Sequence, residues 1–168
     1  NPNNYHDAQN RQNILKMRAV VDTLPSFCKT FFKGIEEYTS ARTRLAYAYD
    51  IRLFFEFLHE KNAVCSKMEI KDFPLSILDE LHRQDIEEYL EYLSLYEKDG
   101  KEITNDERGK SRKLASLRSF YNYFYQSEML KNNPAALVPL PKQHEKAIIR
   151  LEPNEVAILL DQVEDGTK

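Results

Sequence analysis

Arginine, lysine and small hydroxyl or amide residues recur between residues 108 and 122: Arg108, Lys110, Ser111, Arg112, Arg118, Ser119 and Asn122. At about 3.6 residues per helical turn, Arg108, Ser111, Arg112, Ala115, Arg118, Ser119 and Asn122 share one arc. Leu114, Leu117, Phe120, Tyr121 and Phe124 share the opposite arc. No acid stands between Arg108 and Ser127. The chemistry open to such a face is recognition of a polyanion. Arginine supplies charge and a rigid fork of donors, serine a short hydrogen bond, and Ala115 keeps the surface low enough for a phosphate backbone to approach. Arg112 and Asn122 also carry the donors that read base edges in a major groove. The competing reading is an ordinary solvated helix face.

A second patch is Ser40, Arg42, Thr43 and Arg44, at the start of another expected helix. Free N–H groups and partial positive charge at a helix N-terminus favour phosphate. Plain capping by Ser40 is compatible with that role.

Other reactive residue types assemble nothing. His6, His59, His82 and His144 have no metal-ligand spacing. Cys28 and Cys65 are too few for a disulfide framework or a four-ligand zinc site, and reduced thiols in a cytoplasm are the simplest reading. Four glycines leave no phosphate-cradling loop. No catalytic residues, metal or cofactor are expected. No apolar run approaches the roughly 18–20 residues of a membrane span, and no secretory signal is visible.

The elements that must position the two patches read as all-α. Helices are expected over 5–23, 25–38 (with Pro25 in its first turn), 41–61, 83–96 and 106–128, with residues 1–4 frayed and 62–74 a loop. The 41–61 helix is apolar nearly all round, so it is either central or faces a partner. Ser76-Ile77-Leu78-Asp79 and Thr104-Asn105-Asp106-Glu107 fit capping boxes, and Asp99-Gly100 a turn. Pro134, Pro139 and Pro141 suggest an extended linker over 134–150. A further helix starts near Pro153. Alone it cannot bury its apolar face. Either it folds back on the first domain or it begins a second.

Charge is polarised along the 168 residues. Residues 79–107 hold eleven acids and three bases, a sum of −8; residues 108–146 hold eight bases and two acids, a sum of +6. The net charge of −3 hides both.

Ser40-Ala-Arg-Thr43-Arg-Leu-Ala-Tyr47-Ala-Tyr-Asp50-Ile-Arg-Leu-Phe54-Phe-Glu-Phe57-Leu58 resembles the opening helices of tyrosine recombinases, the family of phage and mobile-element integrases and Xer-type recombinases. Asp85-Ile86-Glu-Glu-Tyr89-Leu90 resembles the next helix. Arg112-Lys113-Leu114-Ala-Ser-Leu117-Arg118-Ser-Phe120-Tyr121-Asn-Tyr-Phe124 is the most specific match. Asn133-Pro134 and Pro141-Lys142 resemble the exit to an interdomain linker, and Leu151-Glu-Pro-Asn-Glu155-Val156-Ala-Ile-Leu159-Leu160 the first helix of a catalytic domain. Departures are Gly109 for a usual Thr, His82 for a usual capping Thr, and Ala115-Ser116 for the usual Ser-Ala.

The resemblance implies a helical extension (1–23), a small helical bundle of SAM-like core-binding type (24–133), a linker (134–150) and the start of a truncated catalytic domain (151–168). It implies double-stranded DNA as partner, with other recombinase protomers in a synaptic complex of the full-length protein, and no cofactor. In the family the bundle clamps one face of the recombination core site. A separate domain carries an arginine–lysine–histidine–arginine set and a tyrosine nucleophile. Those motifs do not occur in this chain, so it is expected to bind DNA without cutting it. Ser40, Arg42, Thr43, Arg44, Arg108, Lys110, Ser111, Arg112, Arg118, Ser119 and Asn122 would contact DNA, with Lys142 tracking the backbone from the linker. The alternative is a helical protein-interaction module, its acidic segment meeting a basic partner and its apolar excess a partner helix.

Overall fold

Aromatic residues at three- and four-residue spacing decide what each helix buries. The computed structural model describes residues 2–141. Its elements are α1 (Pro2–Val21), α2 (Phe27–Gly34), α3 (Ala41–Lys61), α4 (Ser76–Glu80), α5 (Arg83–Leu93), β1 (Leu95–Lys98), β2 (Lys101–Thr104) and α6 (Glu107–Gln126). The result is an all-α bundle with one small antiparallel hairpin.

α3 is the central helix. Ile51, Leu53, Phe54, Phe55, Phe57 and Leu58 are all buried, so the domain's own core uses the apolar excess that had suggested a partner. Around Phe55, rings from α2 and α6 meet edge to face: Phe31 and Phe120 at 5.1 Å, Phe27 and Phe124 at 5.8 Å, Phe55 and Phe120 at 6.0 Å. Such pairs add about 0.5–1.5 kcal/mol each beyond their buried area. Phe54 and Phe57 hold α5 through Tyr89, at 4.9 and 5.3 Å. Gly34 ends α2 where it meets α6. A Cβ there would lie 2.3 Å from the Tyr123 ring, so the missing side chain lets the two helices approach.

Several boundaries differ from expectation, each for a local reason. α1 begins at Pro2, so residues 2–4 are helical, not frayed. α2 ends at Gly34, and Glu36–Tyr38 forms a separate 3₁₀ turn. The 62–74 loop carries 3₁₀ turns at Cys65–Lys67 and Ile70–Asp72. The expected 83–96 helix stops at Leu93. Leu95 exposed, Tyr96 buried and Glu97 exposed is a two-residue alternation, which is strand and not helix. Asp99 and Gly100 both have positive φ, 54° and 79°, as the tight two-residue hairpin loop requires. Lys98 therefore pairs with Lys101.

Neither proposed capping box forms as read. Ser76 lies inside α4, after Leu75. The Asp79 carboxylate instead accepts from the Lys131 and Asn132 N–H groups, both at 2.9 Å, tying α4 to the chain beyond α6. α6 is capped by Asp106, which accepts from the Gly109 N–H at 2.9 Å; Thr104 ends β2. At the other end of α6 the Glu128 N–H donates to the Tyr125 carbonyl at 3.1 Å, and the Met129 N–H to the Phe124 carbonyl at 2.9 Å. This is a Schellman closure with Glu128 at φ 63°. The chain then forms a 3₁₀ turn, Pro134–Leu137, and buries Ala135 and Val138. The described part of the expected linker is thus packed, and the helix near Pro153 lies outside the described residues.

Candidate nucleic-acid interface

Contacts between α3 and α6 bring the two sequence patches near each other. Asp50 on α3 pairs with Arg112 near the start of α6. Further along, Tyr38, Thr39 and Tyr47 share a cleft with Ser119, Asn122, Gln126 and Ser127. The N-terminus of α3 therefore adjoins the second half of the α6 stripe. Ser40 caps α3, its hydroxyl accepting from the Thr43 N–H at 3.1 Å. Ser40 and Arg42 are exposed and Thr43 is half-buried.

The other side of the stripe is covered by the chain's own return, a belt of residues 133–141. The Asn133 side-chain amide donates to Asn122 Oδ1 at 2.7 Å. Arg118 donates to the carbonyls of Ala135 and Val138. The Ser111 hydroxyl donates to the Pro141 carbonyl at 3.3 Å. Between α3 and this belt a strip stays open, lined by Arg108, Arg112, Ala115 and Asn122, all exposed, with Ser119 half-buried.

Burial sorts the expected contact residues. Arg44 is buried, and its guanidinium is taken by the carbonyls of Glu36 and Thr39 and the Thr39 hydroxyl. It shapes the turn before α3. Arg118 and Ser111 hold the belt. Lys110 is half-buried with its ammonium 3.9 Å from Glu107. Lys142 lies outside the described residues. Arg42, Arg108 and Arg112 are the cations placed outward.

Two residues were missed in the sequence. Asp50 is buried beneath Arg112, which grips it with both terminal nitrogens, at 2.6 and 3.2 Å; Ser116 adds a third bond at 2.7 Å. A signal existed: Asp50 is the one acid between Ser40 and Phe55. Asn105, between β2 and α6, ties the end of α5 to α6, donating to the Leu93 carbonyl and accepting from Lys113, both at 3.0 Å. Burial, with the neighbouring Arg112 charge, lowers the pKa of Lys113. Among the described residues no cluster of histidine, cysteine, aspartate and glutamate is arranged to hold a metal, and no helix is long and apolar enough to cross a membrane.

Comparison with known proteins gives the family. The chain is 31% identical over 136 residues to the tyrosine recombinase XerC of Caldanaerobacter subterraneus, covering 77% of this chain and 37% of that protein. It is 32% identical over 127 residues to the XerC of Leptospira interrogans, covering 76% and 35%. A tyrosine recombinase of Pseudothermotoga lettingae is 32% identical over 123 residues, covering 73% and 36%. No family model and no solved structure matches significantly. The chain spans about a third of the length of the curated relatives it matches. The resemblance read from Ser40–Leu58 and Arg112–Phe124 thus rests on independent matches, and the chain belongs to the tyrosine recombinase family.

Proposed function

We propose that this domain binds duplex DNA as the core-binding part of a tyrosine recombinase, clamping one face of the recombination site. The observation that carries this is the open strip on α6, with no acid from Arg108 to the end of the helix, adjoining the capped start of α3. Arg108 and Arg112 supply charge at one end and Arg42 at the other, beside the hydroxyls of Ser40 and Thr43. Ser119 and Asn122 lie between them, with Ala115 as the low point. Arg44, Lys110, Ser111 and Arg118 support the surface from beneath and beside it. Lys142 would extend the contact along the backbone. Strand breakage and rejoining, and assembly with further protomers, belong to the full-length protein. DNA integration and site-specific recombination in the cytoplasm are the processes served.

The salt dependence of binding tests this. Each phosphate contact releases counterions, so log affinity falls with log salt by about 0.9 per contact. Arg108→Ala and Arg42→Ala should each weaken binding to any duplex and lower that slope by about one unit. If neither variant changes the slope, this surface is not the DNA interface. A protein-interaction role would be favoured if the chain fails to shift duplex DNA at low salt.

A further inference from the structure

The interface has a buried carboxylate at its centre, which is an unexpected place for one beside a polyanion. Asp50 is 5% exposed and Arg112 is 52% exposed. The pair is end-on: the two terminal nitrogens of Arg112 meet the two oxygens of Asp50. A guanidinium has five N–H donors, so this grip leaves three for other partners. The Ser116 hydroxyl, itself buried, fixes the carboxylate from the side. The order Ala115-Ser116 matters here, because exchanging the two would carry the hydroxyl about 100° round the helix, out to the open strip.

We propose that Asp50 is the positioning residue of the interface: it holds the Arg112 guanidinium in one plane, with its free edge presented to a DNA phosphate. This rests on the reading that the α6 strip binds DNA. An arginine already immobilised loses less freedom on binding. A buried carboxylate releases its partner only at high cost, so the grip persists. Charge alone predicts the opposite role. A carboxylate near phosphate repels it, so removing that charge would tighten binding.

The two roles differ in the sign of one measurement. The probe is a random-sequence duplex of about 30 base pairs, titrated at several salt concentrations. Asp50→Asn should weaken binding about threefold or more, as loss of an orienting hydrogen bond does. Arg112→Ala should weaken it too, and Asp50→Asn should add nothing in the Arg112→Ala background. Tighter or unchanged binding by Asp50→Asn overturns the proposal, as does an additive double variant. If Arg112→Ala leaves binding unchanged, the DNA assignment of Arg112 is what fails. Should Asp50→Asn not fold by circular dichroism, Arg112→Lys serves instead. It keeps the charge but not the two-point grip, so it should keep the salt slope and lose affinity; binding equal to wild type overturns the positioning role.

Discussion

At the residue scale, burial decides what each side chain is for. Arg42 and Arg44 are two positions apart, yet one is exposed and the other is enclosed by backbone carbonyls. Sequence spacing placed both in one patch because it cannot see the turn at Glu36–Thr39 that encloses Arg44. The exposed Arg108 was legible, since a helix arc without acids needs only the helical period. Asp50 was not, because its meaning depends on Arg112, sixty-two residues away. The cysteines follow the same logic. Burial pushes the Cys28 thiol far up, and burial with the Glu80 charge raises Cys65 to about 11 from 9.0. Neither thiol should react with an aromatic disulfide reagent at pH 8 until the fold is opened by denaturant. A raised thiol pKa favours the neutral form in the fold, so stability is intact below pH 9 and declines as pH rises towards 11. The urea midpoint should fall over that window, and fall less in Cys65→Ala.

At the element scale, ends and crossings carry the specific information. The Gly34 close approach predicts that Gly34→Ala destabilises the fold by about 1–3 kcal/mol, the usual cost of overpacking. Removing the obstacle with Tyr123→Ala should make the same substitution much less costly, a non-additivity measurable by denaturant titration. Glu128 sits in the left-handed region where glycine is free, so Glu128→Gly should stabilise the domain by about 1 kcal/mol, and its melting temperature should rise by a few degrees. The helices were readable because their apolar residues repeat over many turns. The hairpin was not, because four-residue strands give almost no periodicity and Asp99-Gly100 suits a connection of either kind. The capping boxes failed for different reasons: Asp79 serves the chain beyond α6, which local pattern does not reveal, whereas Asp106 takes the cap of α6 in place of Thr104, which stays in β2.

At the scale of the whole molecule, the net charge of −3 says little, because its parts are segregated. α5 shows Glu87, Glu88 and Glu91 to solvent, whereas α6 shows Arg108 and Arg112 between α3 and the belt. This segregation predicts that the domain approaches DNA in a preferred orientation, and faster at low ionic strength. The belt is held differently from everything else. Its anchors are hydrogen bonds from three side chains, Asn133, Arg118 and Ser111, and three buried residues, Pro134, Ala135 and Val138. No strand ladder or long helix secures it, so it belongs to the least stable part of the fold. Arg118→Ala should therefore raise amide exchange in residues 134–141 and leave the aromatic core protected. Arg108 and the free edge of Arg112 face outward, whereas Arg118 and Ser111 are engaged by the belt. For the DNA contact proposed above this predicts two kinetic classes of donor: one limited by diffusion, the other gated by a local opening whose rate, and not the ligand concentration, would set how fast it is used.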